Sequence, residues 1–228
     1  MKQNDPCTVL LIDDHPLILE AYKNALAKIE EQIAHYTFKI DVATDCDKAY
    51  RKITEASTLH NGIDLIFLDM RLPPSADGKI LSGEDLGLII KKTLPKSKVI
   101  VSTTHTDNYR IHSIFKSIDP DGFLIKNDIS PEDIIIAIEN VLEDPPYYSK
   151  TVIKLLRKNV SNDFLLDNID RKLLYEISLG TKMKDLPDIL PLSIAGIEKR
   201  KRNLKDIFDV ASGDDKELIS KAKEKGFI

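Results

Sequence analysis

The sequence predicts an α/β protein: a doubly wound, five-stranded parallel sheet followed by a small all-helical domain. Through residue 142, short apolar runs alternate with longer amphipathic stretches, as expected of strands joined by helical crossovers. The pair Pro145 and Pro146 then breaks the pattern. From Asp167 onward only helical periodicity follows. These observations separate a sheet domain from a helical one.

In the first domain the alternation predicts five strand–helix pairs. The strands are expected at 7–12, 38–42, 64–68, 98–102 and 122–126, and the helices at 17–33, 46–57, 83–93, 107–117 and 131–142. The start of the last helix is the clearest, because "SPED" supplies Ser130 as a cap, Pro131 at the first helical position and acids in the first turn.

The paired prolines suggest a domain boundary. We expect one domain over residues 1–143, a linker with a short helix over 144–166, and a second domain over 167–228. The short helix is expected at 149–159. Those of the second domain are expected at 168–179, at 182–189 with Thr181 as cap, at 194–208 with Ser193 as cap, and at 213–225.

Composition indicates a globular protein of 228 residues, 42% apolar and 31% charged. Its apolar runs are much shorter than the about 20 residues that span a bilayer. The polar start "MKQNDPC" is unlike a secretory signal, and the two cysteines, Cys7 and Cys46, are too few for a disulfide framework. We therefore expect a cytoplasmic protein without a membrane partner.

Charge is distributed unevenly along the chain. Residues 1–150 carry 17 Lys and Arg against 24 Asp and Glu, a net charge of −7. Residues 151–228 carry 16 against 13, a net charge of +3. The carboxy-terminal third is therefore the better candidate for binding a polyanion.

Polar side chains follow several strands of the predicted sheet. Asp13 and Asp14 follow the first strand, Asp69 the third and Lys126 the fifth, with hydroxyl residues at 102–104 after the fourth. Because the carboxyl ends of parallel strands share one edge, these groups should converge. Clustered carboxylates favour a hard cation such as Mg²⁺. With the metal bound, Asp69 can attack phosphorus as a carboxylate nucleophile and form an acyl phosphate.

The motifs at these strand ends, "LLIDDHP", "DLIFLDMRLP", "VIVSTTH" and "DGFLIKND", resemble those of receiver domains of two-component response regulators. The resemblance covers roughly residues 6–143 and implies a flavodoxin-like fold. It implies the following roles: phospho-acceptor Asp69, metal ligands Asp13, Asp14, Asp69 and the carbonyl of Arg71, switch residues Thr103 and Phe123, and phosphate-binding Lys126. Ser102 is a one-residue alternative to Thr103. His15 and His105 are interpreted as structural.

Two features of this region bear on the assignment. Haloacid-dehalogenase-type phosphatases also use a strand-end aspartate, but they need a second acid two residues later, where this chain has Arg71. Residues 73–85, in which Gly78 and Gly83 are both plausible turn glycines, form a longer connection than receiver domains usually carry. We interpret it as a tolerated surface insertion.

The segment 193–210, "SIAGIEKRKRNLKDIFDV", has five basic residues between Lys199 and Lys205. Helical spacing places its apolar residues on one stripe. With the preceding helix and the turn "LPL", it predicts a helix-turn-helix. Residues 167–228 resemble the effector domain of LuxR/NarL-type regulators. That resemblance implies groove-facing Glu198, Lys199 and Arg202, and phosphate-contacting Arg200, Lys201 and Lys205.

Three residues depart from the effector pattern. Gly196 lies inside the expected recognition helix, at a cost of about 1 kcal/mol relative to Ala. Pro187 lies inside the supporting helix and should kink it. Glu198 repels phosphate but can accept a hydrogen bond from cytosine.

The sequence therefore predicts a response regulator rather than an enzyme. A sensor histidine kinase is the expected donor to Asp69, double-stranded DNA the expected target, and a phosphorylation-dependent homodimer the expected assembly. The alternative is a receiver-switched protein-interaction module whose helix-turn-helix no longer reads DNA.

Overall fold

The structure is a computed structural model that describes residues 6–33, 35–59, 62–106, 108–157, 166–210, 214–225 and 227–228. The chain divides into two compact units. The first comprises residues 1–106 and 114–158, and the second residues 107–113 and 159–228. Within the described ranges, we find no helix long and apolar enough to cross a membrane.

The first unit is built on a parallel sheet of six strands in the order β2-β1-β3-β4-β5-β6. The strands are β1 (Cys7–Ile12), β2 (Phe38–Ala43), β3 (Leu65–Asp69), β4 (Lys98–Thr103), β5 (Gly122–Ile125) and β6 (Tyr147–Tyr148). Burial on both faces explains why β3, β4 and β5 read as continuous apolar runs. The doubly wound α/β fold is confirmed.

Within the described residues, five helices connect successive strands: α1 (Pro16–Gln32), α2 (Cys46–Thr58), α3 (Gly83–Thr93), α4 (Asn108–Ile118) and α5 (Pro131–Leu142). The shorter α6 (Lys150–Leu156) follows β6. The α5 helix begins as expected, because the Ser130 hydroxyl accepts from the backbone N–H of Asp133 and the Asp133 carboxylate accepts from that of Ser130. Asp45 and Ser82 cap α2 and α3 through one hydrogen bond each, accepted from the N–H of Lys48 and of Glu84.

The expected count of five strands was wrong, because the sheet has a sixth. The N–H of Tyr147 donates to the carbonyl of Asp121 at 3.0 Å, and that of Ser149 donates to the carbonyl of Phe123 at 2.9 Å. These bonds align Tyr147 and Tyr148 with β5. A two-residue strand directly after two prolines carries no alternation that a sequence pattern could show. The expected linker, 144–166, thus starts with residues of the first unit.

The second unit contains α7 (Asn168–Ser178), α8 (Ile194–Ile207) and α9 (Asp215–Glu224) around an apolar core. The Asp167 carboxylate accepts from the N–H of Asp170 at 2.8 Å and caps α7. The Ser193 hydroxyl accepts from the N–H of Gly196 at 3.3 Å and caps α8, as the sequence predicted.

The helix expected at 182–189 was wrong. Only a 3₁₀ turn, Leu186–Asp188, forms there. Pro187 has no N–H to donate, and its ring disfavours the α conformation of Leu186, so a regular helix cannot pass through this point. The Thr181 hydroxyl donates to Glu176 Oε2 at 2.8 Å instead of capping a helix.

Candidate functional site

The acids at the carboxyl edge of the sheet meet in one cluster. β1 lies beside β3, so Asp13, which follows β1, is close to Asp69 at the end of β3. Both are almost fully buried, whereas Asp14 and His15 are exposed. One ligand atom from each of the four residues lies within 4.8 Å of the others. The convergence that the strand ends predicted is therefore present.

The Lys126 ammonium group lies between the two buried carboxylates. Its Nζ is 2.8 Å from Asp69 Oδ2, to which it donates a hydrogen bond, and 2.7 Å from Asp13 Oδ2, which is an ion pair outside hydrogen-bond geometry. The backbone N–H of Lys126 donates to the carbonyl of Thr103 at 2.8 Å. One buried cation thus offsets the repulsion between two buried anions.

The Asp69 carboxylate has a different partner on each oxygen. Oδ2 accepts from Lys126, and Oδ1 accepts from the backbone N–H of Arg71 at 3.0 Å. Burial raises the pKa of Asp69 above its ordinary value. Lys126 and the Arg71 N–H oppose this rise, and the nearby Asp13 adds to it. A further cation would therefore favour the ionised, nucleophilic form of Asp69.

His15 contacts two acids of the cluster, Asp13 and Asp14. Its Nδ1 lies 2.6 Å from Asp14 Oδ1 and 3.3 Å from Asp13 Oδ1, and its backbone N–H donates to Asp13 Oδ1 at 3.0 Å. It also precedes the first turn of α1. These contacts orient the carboxylates, which agrees with a structural role. The N–H of His105 donates to the Thr103 hydroxyl at 3.1 Å.

The cluster fits Mg²⁺. Asp13, Asp14 and Asp69 offer carboxylate oxygens, the ligand type that Mg²⁺ prefers. Asp13 Oδ2 is buried and receives no hydrogen bond within the described part of the chain, so it retains acceptor capacity. Arg71 is adjacent, which leaves its carbonyl as a possible further ligand.

The hydroxyls of the fourth strand have separate partners. Ser102 Oγ accepts from the Tyr22 hydroxyl at 2.6 Å, and both residues are buried. The Tyr22 ring stacks on Phe67 with centroids 4.3 Å apart. Burial raises the pKa of Tyr22, and the charges of Asp13 and Asp69 raise it further, so Tyr22 stays a neutral donor. The Ser102 hydroxyl is thus already hydrogen-bonded to a residue of α1. Thr103 is therefore the better candidate for the switch residue.

Comparison with known proteins decides the family. The sequence model of the response regulator receiver domain matches residues 9–139, more than half of the chain. The chain belongs to this family. Residues 9–139 are hereafter the receiver match.

Several regulators resemble the chain over most of its length. The transcriptional regulatory protein MctR of Rhizobium johnstonii is 26% identical, and the alignment covers 90% of this chain and 88% of MctR. The nitrate/nitrite response regulator protein homolog of Haemophilus influenzae is 26% identical over 88% of this chain and 89% of its own. RcsB of Salmonella enterica serovar Typhimurium, solved bound to the promoter rprA with BeF₃⁻, has a TM-score of 0.65 at 21% identity and covers 96% of this chain and 99% of RcsB.

The insertion inside the receiver match is folded. The N–H of Ser75 donates to the carbonyl of Ile80 at 2.8 Å, and Gly78 adopts a left-handed φ of 65° between them. The N–H of Ala76 donates to the carboxylate of Asp47 at 3.0 Å. These bonds close the segment into a turn tied to the start of α2.

Gly83 brings the end of the insertion against the backbone of Asp69. A Cβ added at Gly83 would lie 1.8 Å from the carbonyl oxygen of Asp69. No side chain fits at that distance, so close contact between α3 and the Asp69 backbone requires glycine. The next residue, Glu84, is fully buried, and its Oε1 accepts from the Ser117 hydroxyl on α4 at 3.0 Å. The sequence marked Gly83 only as a plausible turn glycine.

Phe123, the predicted switch aromatic, is fully buried in β5. Its ring centroid lies 5.1 Å from that of Phe115 on α4, and Phe115 meets Tyr148 of β6 edge-on at 5.0 Å. The Phe123 ring therefore links β5 to α4 through its contact with Phe115.

The predicted DNA-contacting residues on α8 separate into two groups. Glu198, Lys199 and Arg202 are exposed, as their positions on the helix predicted. Arg200, Lys201 and Lys205 are partly buried, and each forms an ion pair with an aspartate of the second unit. The sequence pattern did not predict these pairs, because the partners lie on α7 and α9.

Proposed function

We propose that this chain is a cytoplasmic, phosphorylation-controlled response regulator in which Asp69 accepts a phosphoryl group from a sensor histidine kinase. The observation that carries the proposal is the position of the Lys126 ammonium, within 2.8 Å of carboxylate oxygens of both Asp69 and Asp13. Membership of the receiver family supports the same assignment.

The proposed reaction is an in-line transfer. A carboxylate oxygen of Asp69 attacks phosphorus, the phosphorus–nitrogen bond of the donor phosphohistidine breaks, and the imidazole nitrogen leaves with the bonding electrons. The product is an acyl phosphate. Bound Mg²⁺, held by Asp13, Asp14, Asp69 and the Arg71 carbonyl, would offset charge on the transferring oxygens.

Residues of the chain provide the other contacts to the phosphoryl group. Lys126 would exchange its contact with Asp69 for one with a phosphoryl oxygen, and the Thr103 hydroxyl would donate to another. The added charge of about −1.5 to −2 favours both movements. Since Phe123 packs on Phe115, we propose that the rearrangement of β4 and β5 passes to α4.

We propose transcription control through double-stranded DNA as the output. The net charge of +3 beyond residue 150, the Ser193-capped α8 and its exposed Lys199 and Arg202 support DNA binding. So does the similarity to MctR, a named transcriptional regulator, and to RcsB solved on promoter DNA. We propose a receiver over residues 1–143 extended by β6 and α6, and a LuxR/NarL-type effector over 167–228 that dimerises on DNA.

A second candidate function is a receiver-switched protein-interaction module. It is favoured by the 3₁₀ turn at Leu186–Asp188, where a helix-turn-helix would have its supporting helix. Loss of that helix weakens the frame that holds a recognition helix in the groove.

Chemical labelling tests the acceptor assignment. The full chain is incubated with phosphoramidate and Mg²⁺, and intact mass spectrometry counts added phosphoryl groups. Wild type is expected to gain one acid-labile group and Asp69→Asn none. Glu132→Gln, which removes an exposed acid of α5, is the matched control and should label normally. Equal labelling of Asp69→Asn and wild type would refute the assignment.

A further inference from the structure

Two lysines of α8 share one carboxylate on α9. Lys201 Nζ lies 2.6 Å from Asp215 Oδ2, and Lys205 Nζ lies 2.9 Å from Asp215 Oδ1. The lysine side chains are only 18% and 15% exposed, so water screens these pairs incompletely. Burial alone would raise the pKa of Asp215, but the two ammonium groups outweigh it and hold the pKa below its ordinary value. Asp215 thus engages both cations.

Arg200 is held by a second pair of carboxylates. Its Nη1 lies 2.7 Å from Asp167 Oδ2 and 2.7 Å from Asp170 Oδ1. The same two aspartates form the capping box of α7 with each other's backbone N–H groups. The two carboxylates are therefore held in place by hydrogen bonds that do not depend on the guanidinium. Hydrogen bonds to Asp170 and Asp167 raise the pKa of Arg200.

The outward face of α8 consequently carries little net charge. Its exposed ionic residues are Lys199 and Arg202, with Glu198 and Asp206 as the acids. Lys199 and Arg202 form no ion pair in the ranges that the structure describes. A segment that reads as strongly basic in sequence therefore presents two available cations and two acids.

We propose that Asp215, Asp167 and Asp170 are specificity-determining residues, because they withhold three of the five α8 cations from DNA phosphates. We call these two sets of ion pairs the carboxylate clamps. The inference rests on the proposed DNA-binding function. Phosphate contacts bind any sequence, whereas base contacts discriminate. Removing cations from phosphate binding weakens attachment to unrelated DNA and leaves Lys199 and Arg202 as the α8 cations available for binding.

The salt dependence of binding to unrelated DNA tests the clamps. Fluorescence anisotropy measures the affinity of the full chain for a labelled duplex of scrambled sequence between 50 and 200 mM salt. Asp215→Asn keeps the side-chain shape and releases Lys201 and Lys205. If both lysines then contact phosphates, the slope of log affinity against log salt concentration steepens by about 1.8. The loss of affinity between 50 and 200 mM salt then grows about 12-fold.

Two controls separate release of lysines from a general change in charge. Glu224→Gln removes an exposed acid from the other end of the same helix and should leave the slope unchanged. Adding Lys201→Gln to Asp215→Asn should remove about half of the gain in slope that Asp215→Asn produces. Circular dichroism checks that each variant keeps the wild-type helix content.

The outcomes distinguish the clamps from the function on which they rest. The clamps are supported if wild type binds DNA and, of the two single variants, only Asp215→Asn has a steeper salt slope than wild type. If wild type binds, and Asp215→Asn and Glu224→Gln both have the same salt slope, the clamps are overturned. The DNA-binding proposal is then still supported. If neither wild type nor Asp215→Asn binds at 50 mM salt, the DNA-binding proposal fails, and the clamps fail with it.

Discussion

Lys126 follows β5, Asp69 closes β3, and a 2.8 Å hydrogen bond from the Lys126 ammonium to Asp69 Oδ2 joins them across the edge of the sheet. The same ammonium lies 2.7 Å from Asp13 Oδ2. One positive charge therefore offsets two buried carboxylates, while Asp14 remains exposed beside them. The site has more negative charge than its own cation can neutralise, and this excess is the physical basis for binding a divalent metal.

Metal binding should stabilise the receiver through Asp14 and Asp13. If Mg²⁺ binds the folded carboxylate cluster and not the unfolded chain, a concentration 100 times the dissociation constant should add about 2.7 kcal/mol to the free energy of unfolding. Asp14→Asn should lose most of this gain. Urea titrations followed by circular dichroism, with and without EDTA, measure it. Glu132→Gln should respond like wild type; an Asp14→Asn response as large as that of wild type would contradict the metal assignment.

Gly83→Ala should destabilise the first unit strongly. The new methyl group would lie 1.8 Å from the carbonyl oxygen of Asp69, so the backbone of α3 or of Asp69 must shift. We expect a loss of about 3 kcal/mol, the upper part of the overpacking range. Gly62→Ala meets no atom within 4 Å and serves as the control. Thermal unfolding compares the two variants, and similar midpoints would show that α3 does not pack against the Asp69 backbone.

Tyr22→Phe should remove the hydrogen bond to Ser102 and leave a buried hydroxyl unpaired. We expect a loss of about 1–2 kcal/mol in the free energy of unfolding. The double variant Tyr22→Phe/Ser102→Ala removes both partners and should be less destabilised than the two single changes predict together. A double-mutant cycle by urea denaturation gives the coupling. Strict additivity would show that the two hydroxyls do not interact.

DNA affinity should depend on Lys199 and Arg202. Because both residues are predicted to face the groove, each Ala substitution should weaken binding and lower the preference for the selected sequence. The salt slope should change by less than the about 0.9 expected for one lost phosphate contact. Lys223→Ala, an exposed lysine of α9, is the control. Binding that ignores both α8 substitutions would favour the protein-interaction module.

The sequence predicted which side chains meet at the carboxyl edge of the sheet, because strand ends follow from apolar runs and parallel strands bring those ends together. Asp13, Asp69 and Lys126 needed only chain order and strand length to be placed. Tyr22 was missed because its hydroxyl is recognisable only once α1 is known to pack over β4. The one available signal was a polar residue, Ser102, at the end of an otherwise apolar strand.

The failures of sequence-based prediction have one physical origin. Local patterns report what a segment prefers, not what lies against it. Pro187 was read as a kink, but it reduced the expected helix to a 3₁₀ turn. The ion pairs of Lys201 and Lys205 with Asp215 were missed because only α8 was considered and Asp215 lies on α9. That both lysines contact DNA phosphates stays a prediction.

The most direct test of the account is the affinity of the full chain for DNA before and after phosphorylation. The probe is the duplex that the protein itself enriches from a random pool, titrated with and without phosphoramidate and Mg²⁺. Wild type should bind the duplex with a different affinity once phosphorylated, and Asp69→Asn should give one affinity under both conditions. A phosphodonor effect of equal size in Asp69→Asn, or none in fully labelled wild type, would contradict control of DNA binding by Asp69.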